Sequence, residues 1–281
     1  LIKIDVCGDL HVDRHLDMTY HEDGQFSHFD FKKHRTVGAS TLVITGDVSD
    51  NVDDLFELLG EASRIYEHVV FTDGNHEHHS TINTYAVDTN MALIHSFANS
   101  LPNVHYLNGD KDCRFDIGRT AFIGANAWYD WRCHEPRGIT FPMALASWCD
   151  YSKDNSLYFG TFNWPNVFGA AQIDQMKTAI EQANQDSFID SIVVVTHSAP
   201  IADCLEWREG DTVWNTGSPS YVNTGLEQLF DLNTGKIKLW AYGHTHTRRT
   251  FTHKGVTLVN NCYGYPHENI GAGWSMAHFE V

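Results

Sequence analysis

The run TLVITGDVSD, residues Thr41 to Asp50, joins an apolar β-branched stretch to a glycine turn and then to two carboxylates. Continuous apolar character is the pattern of a strand covered on both faces. The glycine lets the chain bend sharply, so that Asp47 stands just beyond the strand's end. The same plan recurs along the chain. IKIDVCGDLH ends in Asp9 and His11, VVFTDGNHE in Asn75 and His76, IVVVTHSAP in His197, and IKLWAYGHTH in His244 and His246. Between these runs lie segments with helical spacing: Asp54 to Tyr66, roughly 83–98, Ala170 to Asn184, and Thr224 to Asp231. Alternating strand and helix predict a layered α/β fold. The later runs IKLWAYG, RRTFTHKG, VTLVNN and WSMAHFEV follow one another without a helix, so the sheet is expected to be mixed.

The 281 residues are 42% apolar and 20% charged, which excludes disorder, collagen and coiled coil. Nineteen Lys and Arg against 36 Asp and Glu leave a net charge of −17 with neutral His, which disfavours broad contact with nucleic acid or an anionic membrane. Eighteen histidines, by contrast, supply the commonest metal ligand and proton shuttle. The six cysteines are scattered without a C-x-x-C pair, which argues against a zinc ribbon or redox motif and fits a reducing compartment. The longest apolar runs, such as Ile192 to Val195, fall far short of a signal or spanning segment, so the chain reads as soluble and cytoplasmic. It reads as one domain over 1–281. An aromatic-rich excursion, 11 aromatics in the 41 residues from Trp128 to Phe168, is expected to pack on the body and could cap a site.

Open α/β sheets bind ligands at the carboxyl ends of their strands, where all these polar residues fall. Imidazole, carboxylate and carboxamide donors without thiolates suit Mn, Fe, Zn or Ni, and a rigid strand end holds each donor in place.

The ordered set D-x-H, G-D, G-N-H, H and G-H-x-H, spanning Asp9 to His246, resembles the calcineurin-like metallophosphoesterase superfamily. The resemblance implies a four-layer α/β sandwich of two mixed β-sheets flanked by helices. It also implies two metal ions: Asp9, His11 and His246 on one, Asn75, His197 and His244 on the other, with Asp47 bridging. It further implies hydrolysis of a phosphoester by a metal-bridging hydroxide, with His76 as general acid oriented by Asp50.

The serine/threonine phosphatases of the superfamily carry a phosphate-gripping arginine directly after the Asp50 position. Here Asn51 follows Asp50, and Glu77 after His76 is likewise not cationic. A dianionic monoester then has less to hold it, which favours a phosphodiester or a small phosphorylated molecule. Arg14, Arg132, Arg137 and Arg248 are the alternative sources of charge. A phosphomonoesterase, a nuclease and a non-catalytic scaffold of the same fold are the competing readings. His78 and His79 are read as solvated surface residues, Trp128 and Trp131 chiefly as core, and the stretch YGYPHEN, Tyr263 to Asn269, as a candidate rim of the pocket.

Overall fold

The computed structural model describes residues 1–15, 19–20, 26–27, 29–78, 87–109, 112–144, 164–206, 220–268 and 273–281. Thirteen strands are described: β1 (Lys3–Cys7), β2 (Thr19–Tyr20), β3 (Phe26–Ser27), β4 (Thr41–Ile44), β5 (His68–Phe71), β6 (Val104–Tyr106), β7 (Arg114–Ile117), β8 (Thr120–Ala125), β9 (Ser191–Thr196), β10 (Ile237–Ala241), β11 (Arg249–His253), β12 (Val256–Asn260) and β13 (Ala277–Glu280). The helices that matter for packing are α1 (Phe31–His34), α2 (Val52–Ile65), α3 (Val87–Ala98) and α4 (Trp164–Gln185).

Two mixed sheets result, ordered β13-β1-β4-β5-β6 and β11-β12-β10-β9-β8-β7. β1, β4, β5 and β6 run parallel, as do β8, β9, β10 and β12, while β13, β7 and β11 join antiparallel at the edges. Because side chains alternate faces along a strand, each sheet has two apolar faces to cover. Ile4, Val6, Val43 and Val70 of the first sheet meet Phe122, Val193, Val195, Leu239 and Val259 of the second in a buried layer between them. The opposite face of the first sheet, including Leu42, Ile44, Val69 and Phe71, takes Leu55, Leu58, Leu59 and Ala62 of α2 and Ile94 of α3. The opposite face of the second takes Ile173, Met176 and Ile180 of α4. The four layers are those expected.

α2 shows why its segment is helical. Asn51 caps it by accepting from the Asp53 backbone N–H at 3.1 Å, and Asp53 and Asp54 sit in the first turn, where the helix dipole favours negative charge. Leu55, Leu58, Leu59 and Ala62 then form one buried stripe. Asn51 therefore serves the backbone at the position where the phosphatases carry their arginine.

Several boundaries differ from the sequence reading. α4 begins at Trp164, six residues before the expected start, because Pro165 lies in the first turn, where its missing N–H costs nothing. The last residues of the aromatic stretch thus belong to that helix. Thr224–Leu232 is a 3₁₀ helix. The short strands β6 and β7 carry little sequence pattern, with only three residues, or four with a polar alternate. Trp128, Tyr129 and Trp131 are buried and pack with Val87 and Met91 of α3. Among the described residues no helix is long and apolar enough to cross a membrane, and the five described cysteines form no disulfide.

Candidate metal centre

Five loops leave the carboxyl ends of β1, β4, β5, β9 and β10 and converge where the two sheets meet. They are laced together by backbone: the Asp9 N–H donates to Gly46 O (2.9 Å), His11 to Asp47 O (3.1 Å) and Gly243 to His197 O (3.0 Å). Two contacts cross between the sheets, from His244 N–H to Asp9 Oδ1 (2.7 Å) and from the His197 ring Nδ1 to Thr45 O (2.8 Å). Asp9, His11, Asp47, His244 and His246 all adopt positive φ, between 42° and 68°. Gly74 is required for another reason. A Cβ there would lie 2.1 Å from Asp47 Oδ1 and 2.6 Å from the Asp47 nitrogen.

All nine residues singled out in the sequence come together here. Asp9, His11, Asp47 and His246 offer donor atoms within 4.8 Å of one another, and so do Asp47, His197 and His244, with Asp47 common to both groups. Asn75 Oδ1 lies 3.0 Å from His197 Nε2. His76 Nδ1 is hydrogen-bonded to Asp50 Oδ1, and the His76 backbone N–H donates to Asp47 Oδ1 at 2.9 Å. Arg14 pairs with both Asp50 and Asp13.

The donor set fits metal ions on its own chemistry. His197 Nδ1 faces Thr45 O and His244 Nε2 faces Ser220 O, so each of these nitrogens carries the proton. In the neutral rings, the remaining His197 Nε2 and His244 Nδ1 present lone pairs to each other at 3.0 Å, with Asn75 Oδ1 a third acceptor beside them. Three acceptors in contact call for a cation among them. His246 Nδ1 faces Glu268 Oε2 at 2.9 Å, which turns its Nε2 lone pair toward His11 Nε2 at 2.9 Å. Such outer carboxylates and carbonyls are what hold ligating imidazoles in orientation. Asp9 Oδ2 is buried with no hydrogen-bond partner among the described residues.

The electrostatics show how strongly the buried carboxylates draw positive charge to this cluster. Asp9 and Asp47 are fully buried, and their ion-pair partners among the described residues are imidazoles. Burial pushes Asp9 up to about 6. Burial would raise Asp47 too, but His197 and His76 hold it well below the usual carboxylate range. Burial opposes charge on His197, yet the Asp47 carboxylate pushes it up to about 9, so a second proton on Nε2 competes with a metal ion for that nitrogen. His11 and His244 are held well below the usual imidazole value, chiefly by burial. His76 is raised, because Asp47 and Asp50 outweigh its burial.

Three residues of the site escaped the sequence reading. Glu77, noted only as non-cationic, is buried, and its carboxylate accepts from the backbone N–H groups of Val48 (2.6 Å), Gly74 (2.6 Å), Asp47 (3.1 Å) and Ser49 (3.4 Å). It clamps the Asp47 loop to the Asn75 loop. Burial, with Asp47 close by, pushes it up to about 7. Glu268 and Tyr265 lie in the stretch offered as a rim and make direct contact with site residues. His78 corrects the expectation of a solvated residue: it is buried against Trp128, its Nε2 2.6 Å from Asp73 Oδ2. His79 lies outside the described residues.

Residues 2–248 match the calcineurin-like phosphoesterase family. The chain belongs to that family. It is accordingly a metal-dependent phosphoester hydrolase that uses divalent metal ions. Uncharacterized protein L509 of Acanthamoeba polyphaga mimivirus is 23% identical over 270 residues, covering 93% of this chain and 90% of that protein. The crystal structure of the phosphopantetheinyl hydrolase PptH from Mycobacterium tuberculosis superposes with a TM-score of 0.69 at 14% identity, covering 98% of this chain and 95% of that one, which shows the shared fold.

Proposed function

We propose that this phosphoesterase is dinuclear and acts on a phosphodiester or a small phosphorylated molecule. Asp9, His11 and His246 would hold one ion and Asn75, His197 and His244 the other, with Asp47 shared between them. The observation that carries this reading is the sharing of Asp47 by two groups of buried donors. Bound there, two divalent ions supply Lewis-acid chemistry, acidifying water and drawing charge from the phosphoryl oxygens.

The chain's own residues do the rest. Thr45 O, Ser220 O and Glu268 fix the imidazoles so that their lone pairs converge. Asp50 accepts from His76 Nδ1 and, with Asp47, favours the protonated ring, which leaves Nε2–H to protonate the departing oxygen. The two sheets and the Glu77 clamp keep these groups from rearranging between free and bound states. The diester preference is supported by the state of the cation beside the site: Arg14 is matched by both Asp13 and Asp50.

Protein stripped of metal and reloaded separately with Mn, Fe, Zn or Ni tests this on bis(p-nitrophenyl) phosphate against p-nitrophenyl phosphate. Two ions per chain, turnover favouring the diester, and loss of both in Asp47→Asn are expected. One ion per chain in the active protein, or undiminished turnover in Asp47→Asn, overturns the dinuclear reading; preference for the monoester overturns the substrate class.

A further inference from the structure

The segment after β12 returns to the metal centre and is stitched to the loop after β1. Tyr263 N–H donates to Gly8 O (3.0 Å), Gly264 N–H donates to Asp9 O (2.9 Å), and the His15 Nε2 meets Gly264 O (2.9 Å). Tyr265 follows, and its placement is fixed from three sides. Its ring stacks on His11 with centroids 4.3 Å apart, its N–H donates to Glu268 Oε2 at 2.8 Å, and the same Glu268 oxygen accepts from His246 Nδ1. Its hydroxyl lies 3.2 Å from His76 Nε2.

That last contact is where the chemistry lies. His76 Nδ1 is taken by Asp50, so Nε2 is the nitrogen left to meet substrate. Two polar atoms 3.2 Å apart can both lie within hydrogen-bond distance of one oxygen placed between and above them, since such bonds run from about 2.7 to 3.2 Å. A phenol is both donor and acceptor, so it can hold Nε2 in the free protein and turn its O–H to a third atom when one arrives.

We propose that Tyr265 is a catalytic residue: its hydroxyl donates a hydrogen bond to the departing oxygen of the phosphoester, alongside His76. The bond strengthens as the P–O bond breaks and its electron pair moves to that oxygen, while the proton the oxygen finally keeps comes from His76. Tyr265 itself neither gains nor loses a proton. The role gives the site a preference in leaving group. Esters of phenols and alcohols with little intrinsic tendency to depart gain most, and p-nitrophenyl esters, whose anion needs no help, gain least. The inference rests on the proposed role of His76 but is tested separately from it.

Methyl phenyl phosphate and methyl p-nitrophenyl phosphate are to be compared as substrates of the metal-loaded wild type, Tyr265→Phe and His76→Asn, with metal content measured on each protein. The ratio of the two kcat values within one protein is independent of how much of it is folded or loaded, so a partly unfolded variant still gives an answer. A hydrogen bond to a developing anion predicts that Tyr265→Phe lowers the phenyl-to-p-nitrophenyl ratio about 10- to 100-fold, with metal content unchanged because the ring stack on His11 is kept. A Tyr265→Phe ratio equal to that of the wild type overturns the proposal, whether or not absolute rates or metal content fall. The His76→Asn ratio judges the general-acid reading on its own: unchanged there, that reading fails, while a lowered ratio in Tyr265→Phe still upholds the contact made by the tyrosine.

Discussion

Replacing Gly74 by alanine tests how tightly the loops of the metal centre are interleaved. The added Cβ would fall 2.1 Å from Asp47 Oδ1, 2.6 Å from its nitrogen and 2.8 Å from its Cγ. None of these is the loose end of a flexible chain. The Asp47 nitrogen is held by Glu77, and Oδ1 accepts from the His76 N–H. Either the Asp47 loop or the Gly74 turn must move. Forcing one carbon into a packed site costs about 1–3 kcal/mol, and losing the bond from His76 N–H to Asp47 adds about 1 kcal/mol. The sum, about 2–4 kcal/mol, corresponds to a fall of roughly 4–8 °C in melting temperature at about 2 °C per kcal/mol for a chain of this length.

The melt is best run in a chelator, so that lost metal affinity does not enter the number, and metal content is then measured after reloading. Gly60→Ala is the matched control. Gly60 lies inside α2, and a Cβ there meets nothing within 4 Å. It should therefore gain about 0.5–1 kcal/mol from helix propensity. Opposite signs for one chemical change would show that steric interleaving at Asp47 is decisive. A Gly74→Ala protein with wild-type melting temperature and full metal content would refute the reasoning outright.

Two further outcomes are expected. Glu77→Gln, melted at pH 8, leaves two of the four N–H donors around that carboxylate facing an NH2 group, at about 1–3 kcal/mol for each unmet donor; a loss below about 1 kcal/mol would mean the clamp is not holding the two loops. His105 and His134 are both lowered to about 4, chiefly by burial. A folded value below the unfolded one means that the unfolded chain binds more protons between the two, so stability is full above about 6.5 and falls as pH drops toward 4. Thermal melts across that window should show His105→Phe, which keeps the ring stacked on Phe115, losing less stability on acidification than the wild type; equal slopes would contradict it.

The convergence of the candidate metal ligands was legible because each of their motifs ends an apolar run, and a side chain at a strand's end is placed by backbone that both sheets fix. What supports the centre was not legible, for a physical reason in each case. Glu77 works through four backbone N–H groups, which no residue type announces. Glu268 and Tyr265 reach the site through a strap that closes more than 240 residues after Gly8, so their relevance depends on tertiary pairing that spacing does not record. His78 looked like one more solvated member of a histidine-rich run until Asp73 and Trp128 enclosed it. Within the aromatic stretch, composition points to packing and Trp128 and Trp131 are buried, but the helix that starts at Trp164 is not announced, because its first turn holds Pro165.

The motifs D-x-H and H-x-H look unrelated as strings, yet they share one backbone figure. In each, the first and third residues have positive φ (Asp9 49°, His11 42°; His244 68°, His246 49°), while Leu10 and Thr245 between them do not. Alternating handedness turns the loop back on itself at the end of its strand, and it does so once on each sheet. Asp9, His11 and His246 are thereby brought into one group of donors and His244 into the other. With Asp47, these four make up five of the eight non-glycine residues with positive φ among those described. Asp and His tolerate that region better than most residues, but each still costs on the order of 1 kcal/mol, and glycine at the same places would relieve it. Glycine carries no donor atom. The chain therefore holds a conformation that its local energetics disfavour and secures it with the backbone lacing between the loops. Any cation that binds these donors stabilises the folded state by mass action, so chelation should lower the melting temperature of the wild type much more than that of Asp47→Asn.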